Sequence, residues 1–497
     1  MNLSAIVENH PADAVALVSR GQVTTYGDLR RQVAELRGGL ARLGVQPGDR
    51  VGLALANNWF FVVAYLSTVG VGAIAVPLNP NSPAAEMQSE LLSVRPKVLI
   101  AGAAAANAVN GIDRAAAGIE HLFAPEGSGI DGASDFESLF GGEPAPVVDR
   151  MPDDVAVLIF TAGTGGSPKA AMLTHANLLS NIEQAQSQAG QEVLANDVAL
   201  GVLPMFHIFG LNVVLGIGLH AGASVVLVER FDPVSTVETI RDRKVTVVAG
   251  APTMFAALMS LPRATARDLS TVRLALTGAA PLPPEVASGF ADHFNIPLRQ
   301  GYGLTEASPV VTASVLDREP RPYSIGQVLP GIELRLVDEE GEDALEGDAG
   351  EIWVRGPNVF AGYWEDADAT AAAKTDDGWL RTGDVAVTDD DGYLYLIDRA
   401  KDLIIVSGFN VYPAEVEEAI AAHPGVTDVA VVGVQHPHTG ETVKAFVVVE
   451  PGVHLEEDQL IDFVGKRLAR YKCPTKITFV EELPHGLGGK LLRRALR

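Results

Sequence analysis

A loop rich in glycine and hydroxyl-bearing residues follows the apolar run VAVLIF. It reads Thr161-Ala-Gly-Thr-Gly-Gly-Ser-Pro-Lys169 and holds three glycines, two threonines, a serine and a lysine within nine residues. The backbone amides and hydroxyls of such a loop can surround a polyphosphate, to which the lysine adds positive charge. No Gly-Lys-Ser/Thr sequence ends the loop, so a P-loop nucleotidase is disfavoured. Taken alone, a glycine- and threonine-rich loop is more often a turn than a phosphate site.

Two further segments carry polar groups that suit a nucleotide. Gly301-Tyr-Gly-Leu-Thr305-Glu306 follows the strand-like NIPLRQ. Its carboxylate and neighbouring hydroxyl suit Mg²⁺, which takes one or two carboxylates and otherwise prefers phosphates and water. In Arg381-Thr-Gly-Asp384, the carboxylate of Asp384 can accept hydrogen bonds from ribose hydroxyls, as acids do in nucleotide sites. Each segment is equally consistent with a polar turn, so neither decides the function alone.

The elements that must position these groups alternate between strands and helices. The strand-like runs include RVGLALA, GAIAVPL, KVLIAG, VAVLIF, ASVVLV and VTVVAG. Such alternation is typical of an α/β fold with largely parallel sheets covered on both faces. After about Pro330 the runs GEIWVRG and DGYLYLID predict a smaller β-rich subdomain with antiparallel hairpins. The last hundred residues predict a small α+β unit, with helices from Pro413 and from Glu456.

A charged run between two apolar ones marks the predicted boundary between the large and small units. It spans 398–402, with the sequence Asp-Arg-Ala-Lys-Asp. We therefore expect an N-terminal domain over residues 1–397, a hinge at 398–402 and a C-terminal domain over residues 403–497.

Residues 59–78 form an uncharged stretch of about the length of a membrane span. Gly70, Gly72 and Pro77 interrupt it, and its second half, GAIAVPL, has the pattern of a buried strand that ends at a turn. We therefore predict a buried helix followed by a core strand and no transmembrane segment. Peripheral contact with a membrane surface stays open.

The charge balance argues against a nucleic-acid partner. The 497 residues carry a formal net charge of −25, whereas a nucleic-acid binder must neutralise phosphates with Lys and Arg. From Asp398 to Arg497 there are 12 Lys and Arg against 14 Asp and Glu, which leaves 25 against 48 elsewhere. The C-terminal hundred residues therefore supply cations more densely to an anionic substrate.

The single cysteine, Cys473, excludes an internal disulfide and favours a reducing, cytoplasmic setting. It is a poor candidate nucleophile, because nothing in the sequence pairs it with a base. No basic region followed by an apolar run opens the chain, so no signal peptide is expected.

The order and the amino-acid sequences of the polar segments resemble those of the superfamily of acyl- and aryl-CoA synthetases, peptide-synthetase adenylation domains and luciferases. The resemblance runs from Thr25-Tyr26 to Lys490 and includes Gly350-Glu-Ile-Trp-Val-Arg-Gly356 and Gly488-Gly-Lys-Leu-Leu-Arg-Arg494. It implies an adenylate-forming enzyme of the fatty-acid–CoA ligase type, with a large N-terminal domain of layered sheets and helices and a small mobile α+β lid. The active site would lie in the cleft between the two.

The resemblance also implies roles for single residues. Thr161, Thr164 and Lys169 would lie in the loop over the β- and γ-phosphates of ATP, and Glu306 would hold Mg²⁺. Gly278, Ala279, Ala280, Pro281 and Tyr302 would line the adenine, and Asp384 and Arg399 would bind the ribose. Gly303 and Thr305 would also belong to the nucleotide-binding residues. The acyl pocket would be bordered by Phe206, His207 and Gly301. The pantetheine arm of coenzyme A would pass Gly408, Phe409 and Asn410.

Catalysis would depend on a lysine delivered from the C-terminal lid. By resemblance, Lys490 would reach across the cleft to the carboxylate and the α-phosphate, and Lys401 would be the pivot of the lid. The physical logic agrees, because negative charge gathers on the α-phosphate during adenylation and cations aimed at that charge stabilise it. No general base or covalent nucleophile is required, and none is visible in the sequence.

The phosphate loop departs from the family pattern at three positions. Ala162 stands where serine is usual, Gly165 where the second threonine is usual, and Ala170 where glycine is usual. Two hydroxyls that could touch phosphate are lost, each worth about 0.5–1.5 kcal/mol of ATP binding. Thr161, Thr164 and Lys169 remain, so the departures bear on ATP affinity and not on the type of activity.

The acid that the resemblance implies is apolar, either fatty or aryl. The segment VLPMFHIFGLNVVLGIGLHAGASVVLV, at 202–228, carries no charge apart from histidines and would form one wall of the acyl pocket. An amino-acid activator would want an acidic residue within 206–212, and none is present. No carrier domain follows Lys490, which favours free coenzyme A as acceptor.

Two alternatives stay open at this point. One is an acyl-AMP ligase that serves the pantetheine of a carrier protein. The other is a degenerate, non-catalytic acyl- or nucleotide-binding protein, which Ala162 and Gly165 make conceivable and which intact Glu306, Asp384 and Lys490 oppose. The basic cluster from Lys466 to Lys472 is equally consistent with a site for the 3′-phosphate of coenzyme A and with a solvated helix face.

Overall fold

The computed structural model describes residues 1–161, 169–188, 190, 192–314, 321–338, 340–345, 347–399, 404–450, 453–484 and 496, with the backbone alone at 398, 399 and 414. The strands within these residues are β1 (Val15–Ser19), β2 (Gln22–Thr25), β3 (Arg50–Ala54), β4 (Ile74–Pro77), β5 (Val98–Ala101), β6 (His121–Ala124), β7 (Ser134–Asp135), β8 (Val155–Thr161), β9 (Lys169–Thr174), β10 (Val198–Gly201), β11 (Ser224–Leu227), β12 (Val247–Gly250), β13 (Leu274–Thr277), β14 (Leu298–Gly303), β15 (Val310–Ala313), β16 (Ser324–Val328), β17 (Glu333–Val337), β18 (Gly350–Arg355), β19 (Gly362–Tyr363), β20 (Leu380–Thr388), β21 (Leu394–Arg399), β22 (Ile404–Val406), β23 (Phe409–Val411), β24 (Val426–His436), β25 (Gly440–Val449) and β26 (Lys476–Phe479).

The α-helices of the same residues are α1 (Tyr26–Arg42), α2 (Trp59–Gly70), α3 (Ala84–Val94), α4 (Ala106–Gly111), α5 (His175–Gln186), α6 (Ile217–Ala221), α7 (Pro233–Arg243), α8 (Pro252–Met259), α9 (Pro284–Phe294), α10 (Ala367–Ala373), α11 (Pro413–Ala421) and α12 (Glu457–Gly465). A π-helical segment covers Phe209–Gly216 and leads directly into α6. Short 3₁₀ turns include Thr305–Ala307 and Arg470–Lys472.

At the start of several helices, a side chain accepts a hydrogen bond from one of the first backbone amides, which have no partner within the helix. The side chain of Thr25 accepts a hydrogen bond from the amide of Asp28 at the start of α1. Thr174 and Asn177 exchange side-chain and backbone hydrogen bonds at the start of α5, which is a capping box. The glycine-rich loop therefore lies between a strand end at Thr161 and the strand β9 that feeds this well-capped helix.

Two large sheets make up the N-terminal part of the chain. The first has thirteen strands in the order β17-β18-β20-β21-β16-β15-β14-β13-β12-β10-β11-β1-β2, and the second has eight in the order β19-β9-β8-β4-β3-β5-β6-β7. Strands β11, β10, β12, β13 and β14 run parallel, as do β8, β4, β3, β5, β6 and β7. The prediction of largely parallel, layered sheets is confirmed.

The predicted β-rich subdomain after Pro330 is not a separate sheet. Its antiparallel strands β17, β18, β20 and β21 continue the first sheet through β16 and β15. The continuity follows from backbone pairing at the edge of β14, which antiparallel β15 covers. Alternation within a segment indicates a strand but not which sheet it joins.

The uncharged stretch at 59–78 forms the buried helix α2 and the core strand β4, as predicted. Every residue of α2 from Phe61 to Gly70 is buried. In the part of the chain that the structure describes, no helix is long and apolar enough to cross a membrane.

The C-terminal residues form a five-stranded sheet in the order β23-β22-β25-β24, with β26 paired to β25. Helices α11 and α12 contact each other, and their apolar residues share one buried cluster with the strands. This is the small α+β unit that the sequence predicts, and it is here called the C-terminal unit.

Candidate active site

A cavity of about 380 Å³ lies at the carboxyl ends of the parallel strands β12, β13 and β14. Ligands in open α/β sheets bind at this edge, because the loops that leave the strands are free to surround them. The polar lining residues include Thr161, Lys169, His207, Gln300, Thr305, Glu306, Tyr363, Arg381, Thr382 and Asp384. The cavity continues into an apolar end, so one continuous space joins both kinds of surface.

Glu306 and Tyr363 form a hydrogen-bonded pair at the polar end. The Tyr363 hydroxyl donates to Glu306 Oε1 over 2.6 Å, and the Lys169 ammonium lies 5.4 Å from the centre of the tyrosine ring. Burial, and then the negative charge of Glu306, raises the pKa of Tyr363 far above its ordinary value, so the hydroxyl stays protonated and remains a donor. The backbone of Glu306 is fixed as well, since its carbonyl accepts from the amide of Phe360 over 2.8 Å.

The residues at this end fit a magnesium ion. The Glu306 carboxylate offers one anionic oxygen donor in a cavity that Thr161 and Thr305 also line, and Mg²⁺ uses one or two such donors together with phosphate and water. Glu306 is the residue that would hold the ion. Within the described residues, no group of three or more His, Cys, Asp or Glu side chains could hold a metal.

Asp384 and Tyr302 form a second pair across the cavity. The Tyr302 hydroxyl donates to Asp384 Oδ2 over 2.8 Å, and the Asp384 amide donates to the side chain of Thr382 over 3.1 Å. Tyr302 is only 8% exposed, so its ring is fixed by packing. The Arg381-Thr-Gly-Asp384 segment is part of strand β20 and not the polar turn considered from the sequence. Its backbone pairs Asp384 with Arg399, whose side chain is outside the description.

We expect Tyr302→Phe to weaken nucleotide binding while leaving the fold intact. The variant keeps the buried ring and removes one hydrogen bond to a charged acceptor, worth about 1.5–3 kcal/mol. The KM for ATP should therefore rise by roughly tenfold or more, with a smaller change in kcat. Steady-state kinetics with varied ATP and a melting curve check this. A loss confined to kcat would show that the Tyr302–Asp384 pair does not orient ATP.

Glycine and alanine residues keep the backbone close to the cavity. A Cβ atom at Gly303 would lie 2.1 Å from the carbonyl oxygen of Pro309, and one at Gly278 would lie 3.3 Å from the carbonyl oxygen of Gly301. Ala279 has φ +64°, a left-handed conformation that suits a tight approach of backbone to ligand. The predicted adenine-binding segment 278–281 and the segment 301–306, which includes the predicted adenine-binding residue Tyr302, thus both line the cavity.

His207 stands between the polar and apolar ends. Its Nδ1 accepts a hydrogen bond from the backbone amide of Phe209 over 3.2 Å, so the neutral ring carries its proton on Nε2. Burial lowers the pKa of His207 to about 4, which keeps the ring uncharged at neutral pH. His207 is therefore a neutral hydrogen-bond donor at the junction.

The apolar end is formed by the π-helical segment and by the neighbouring strands. Its lining residues include Phe209, Val213, Val214, Ile217, Val247, Ala249 and Leu276. Asn212 faces away from solvent and donates to the carbonyl oxygens of Leu178 and Ser308, which fixes the segment against α5 and the loop after Glu306. Single-turn π-helical distortions often occur at functional sites, where they change the direction of side chains.

The C-terminal unit closes part of the cavity. Asn410 and Tyr412 line the main cavity, and Phe409 lines an adjoining pocket of about 80 Å³ that also reaches Thr161, His207 and Thr305. The Phe409 ring stacks between Phe206, at 6.4 Å, and Tyr471, at 4.6 Å. A hairpin of the C-terminal unit therefore lies against the predicted acyl-pocket residue Phe206.

The sequence comparisons decide the family. The family profile described as AMP-binding enzyme matches residues 3–364, and the profile described as AMP-binding enzyme C-terminal domain matches residues 415–490. The chain belongs to the AMP-binding enzyme family. The predicted superfamily and the prediction of an enzyme are thus confirmed. The predicted hinge at 398–402 lies between the two matched segments and stays a prediction.

Relatives of this AMP-binding enzyme match over nearly its whole length. A feruloyl-CoA synthase of an Amycolatopsis species is 39% identical over 487 residues, which cover 97% of this chain and 95% of the relative. A long-chain-fatty-acid–CoA ligase of Bacillus subtilis (strain 168) is 35% identical over 513 residues, covering 97% and 91%. The solved structure of the amide bond synthetase McbA from Marinactinospora thermotolerans has a TM-score of 0.88 at 30% identity, covering 100% and 99%.

Most of the predicted site residues lie together in the AMP-binding enzyme. The residues that line the cavity or the adjoining pocket are Thr161, Lys169, Phe206, His207, Gly278, Ala279, Ala280, Gly301, Tyr302, Gly303, Thr305, Glu306, Asp384, Phe409 and Asn410. Gly408 lies in the turn between β22 and β23, where an added Cβ atom would meet Ala251 and Ala279 of the N-terminal part. Thr164, Lys401 and Lys490 lie outside the described residues, and their roles stay predictions.

Sequence reasoning missed Tyr363, Tyr412 and three buried carboxylates, those of Glu86, Glu90 and Glu415. Tyr363 comes from the two-residue strand β19, which pairs with β9 directly beside Lys169. Nothing in the run PNVFAGYW distinguishes this tyrosine from a core aromatic residue. A polar partner of a known site residue is recognisable only once the sheet order is known.

The basic cluster from Lys466 to Lys472 is not one continuous cationic surface. Lys472 is buried, and its ammonium donates to Glu86 and Glu415. The Arg467 guanidinium lies 3.5 Å from the Phe463 ring centre and donates to the Phe463 carbonyl oxygen. Of the basic residues in this run, only Lys466 and Arg470 are exposed. Neither interpretation from the sequence fits Lys472, because α12 ends before it and the chain turns inward.

Proposed function

We propose that this AMP-binding enzyme activates an apolar carboxylic acid, fatty or aryl, as its acyl-AMP with release of pyrophosphate and then transfers the acyl group to coenzyme A. The observation that carries the proposal is the single cavity that joins the polar end at Glu306 and Asp384 to the apolar end at Val213 and Ile217. A nucleotide and an acyl chain can meet in such a space, with their reacting groups at the junction near His207.

The chain's own residues supply positioning and charge at the polar end. Lys169 and the backbone around Gly303 would face the phosphates, while Asp384, held by Tyr302, would accept hydrogen bonds from the ribose. A magnesium ion at Glu306 would neutralise charge on the phosphates. Such preorganised groups stabilise the transition state because they need little reorientation as charge develops.

His207 suits the reacting carboxyl group. Its Nε2–H is a neutral donor, so it can hold a carboxylate oxygen during adenylation and the acyl carbonyl oxygen during transfer without a change of protonation. A charged imidazolium would bind the carboxylate more tightly and would hinder its attack on phosphorus. The low pKa of His207 is therefore useful to both half-reactions.

The acid is apolar because no charged side chain of the described residues lines the far end of the cavity. Val213, Val214, Ile217, Val247 and Leu276 face that end. The names of the relatives support both an aryl acid and a long-chain fatty acid. Aryl-propenoic acids of the ferulate type are the first to test, since the relative named for one is 39% identical.

Coenzyme A is the acceptor that the relatives' names support. The small pocket supports it as well, because residues of the C-terminal unit line it together with Thr161 and His207. Phe409 and Asn410 line this pocket, which agrees with the predicted route of the pantetheine arm.

An acid and acceptor panel tests the proposal. The purified enzyme is given ATP, Mg²⁺ and one acid at a time, from ferulate, 4-coumarate, benzoate, decanoate and palmitate, with and without coenzyme A. We expect AMP and pyrophosphate with apolar acids, an acyl-CoA product by mass spectrometry, and no activity with glycine or glutamate. Turnover only with amino acids, or none with any acid, would contradict the proposal.

A second acceptor is favoured by one comparison. The amide bond synthetase McbA matches this fold with a TM-score of 0.88 over the whole chain. Simple amines are therefore added to the panel in place of coenzyme A, and a carrier protein with its pantetheine arm is added as a third acceptor. An amide product, or acyl transfer to the carrier alone, would replace coenzyme A in the proposal and keep the adenylation step.

A further inference from the structure

Four charged side chains meet in a buried cluster between the N-terminal part and the C-terminal unit. Glu86 and Glu90 come from helix α3, Glu415 from the first turn of α11, and Lys472 from the 3₁₀ turn after α12. All four are at most 8% exposed, and Glu86, Glu90 and Lys472 line the small pocket beside His207. These residues are called the interface cluster.

The hydrogen bonds to Glu86 in the interface cluster cross between the two parts of the chain, and the bond to Glu415 lies within the C-terminal unit. The Lys472 ammonium donates to Glu86 Oε1 and, over 2.8 Å, to Glu415 Oε1. The backbone amide of Ala469 donates to Glu86 Oε2 over 2.6 Å, so both oxygens of Glu86 bind the C-terminal unit. The neighbouring stack of Phe206, Phe409 and Tyr471 crosses the same interface.

The interface cluster is unbalanced in charge, with three carboxyl groups and one ammonium. Within the part of the chain that the structure describes, Glu90 Oε2 and Glu415 Oε2 are buried without a hydrogen-bond partner. Three ionised carboxylates beside a single lysine would leave two uncompensated negative charges in a space of low polarity, which is strongly unfavourable. A proton on one carboxyl group removes one of these charges and turns one orphan oxygen into a donor.

We propose that the interface cluster is a proton-linked latch, which holds the C-terminal unit against the N-terminal part in the orientation seen here and takes up one proton as it closes. Glu90 holds the proton, since among the described residues its side chain has neither the lysine hydrogen bond of Glu86 and Glu415 nor a partner for its buried Oε2. Only the role of this orientation, which would be acyl transfer to a thiol, rests on the proposed function.

The charged and titratable groups around Glu90 support this assignment. Glu86 lies one turn earlier on the same helix, Glu415, Tyr471 and Lys472 face it from the C-terminal unit, and His207 and Tyr412 line the same small pocket. Burial, followed by the charge of Glu86, raises the pKa of Glu90 to about 8, and Lys472 only partly opposes the shift. Burial also raises the pKa of Glu415.

The direction of the pH effect follows from the raised pKa. Below pH 8 the latched state holds a proton on Glu90, whereas a Glu90 exposed by opening would take one only near its ordinary value of 4.5. Between pH 4.5 and pH 8, closing of the latch therefore takes up a proton, and the latched population rises as the pH falls. The equilibrium constant for closing should change by up to about tenfold per pH unit, and it should level off above pH 8.

Hydrogen exchange at the Ala469 amide measures the latch directly, because that amide is bonded to Glu86 across the interface. The full-length protein is exchanged without substrates from pH 6 to pH 9, and rates are corrected for the intrinsic pH dependence of exchange. We expect the protection factor of the peptide that contains Ala469 to fall by up to about tenfold per pH unit from pH 6 to pH 8. It should then become constant.

Three variants make the test specific. Glu90→Gln keeps the size of the side chain and cannot ionise, so its protection should stay high and independent of pH. Glu415→Gln removes one carboxylate that repels a negative charge on Glu90. The pH above which the protection factor becomes constant should therefore be lower in this variant than in the wild type. Glu120→Gln, on an exposed residue that is not part of the interface cluster, should follow the wild type. Melting curves of each variant confirm folding.

Two results would overturn the latch. Wild-type protection at Ala469 that is absent or independent of pH would show that no proton is linked to closing. A Glu90→Gln profile that keeps the wild-type pH dependence would show that another group binds the proton. Because the exchange experiment needs no substrate, failure of the proposed acyl-CoA product would leave its outcome unchanged, and failure of the latch would leave the acid panel unchanged.

Discussion

Glu306→Gln is expected to lower magnesium-dependent ATP consumption strongly while the protein keeps its fold. The substitution retains an oxygen that can accept the hydrogen bond of Tyr363, which in the wild type spans 2.6 Å. It removes the negative charge that a magnesium ion requires of its protein ligand. Loss of one preorganised group of this kind lowers the rate by about a hundredfold to a thousandfold.

The measurement is acid-dependent exchange between pyrophosphate and ATP at several magnesium concentrations, with a melting curve in the absence of ligands. Tyr363→Phe is the matched control, since it keeps the carboxylate and removes only its hydroxyl partner. It should lose far less activity and recover at higher magnesium. A large drop in melting temperature together with retained exchange in Glu306→Gln would show that the carboxylate is structural.

The strand and helix pattern of this AMP-binding enzyme could be predicted because each signal is local. RVGLALA, GAIAVPL and VAVLIF are strands, the uncharged stretch at 59–78 is a buried helix and a strand, and Pro413 begins a helix. Apolar runs of four to eight residues and proline at a first helical turn act over short distances. The polar segments were likewise recognisable from local residue types, and their described residues Thr161, Glu306 and Asp384 line one cavity although β8 and β14 belong to different sheets.

What could not be predicted depends on contacts between distant segments. Lys472 has the sequence context of a surface lysine, yet it is buried because Glu86, 386 residues earlier, approaches it. Likewise, Tyr363 becomes a site residue only because β19 pairs with β9. Sheet order and the docking of the C-terminal unit decide these positions, and no local pattern encodes either.

The acyl carboxyl group takes part in both half-reactions, and the proposed transfer to a thiol uses the docked orientation of the C-terminal unit. We therefore expect a substitution that disturbs this docking to lower the transfer rate, and Gly408 is the position to test. Gly408 lies between β22 and β23 with φ +86°, and a Cβ atom there would lie only 2.8 Å from Cβ of Ala251. An added methyl group therefore meets the N-terminal part directly and also strains the backbone. Together these effects should destabilise the docked orientation by about 3 kcal/mol, roughly a hundredfold in its population.

Gly408→Ala is accordingly expected to lower acyl transfer to coenzyme A by about a hundredfold and to leave acyl-AMP formation nearly unchanged. Single-turnover transfer from pre-formed acyl-AMP and pyrophosphate exchange measure the two half-reactions separately. Gly341→Ala is the control for backbone strain alone, since Gly341 has φ +89° and no atom within 4 Å of the added Cβ. Both of its half-reactions should keep wild-type rates.

A second substitution can restore what the first removes. Ala251→Gly deletes the methyl group that the new Cβ at position 408 would meet, so Gly408→Ala with Ala251→Gly should recover part of the transfer rate. Residual loss in the double variant then measures the backbone strain at position 408, because the steric contact is gone. Equal loss of both half-reactions in Gly408→Ala, or no recovery in the double variant, would contradict a role for this contact in docking the C-terminal unit for thiol transfer.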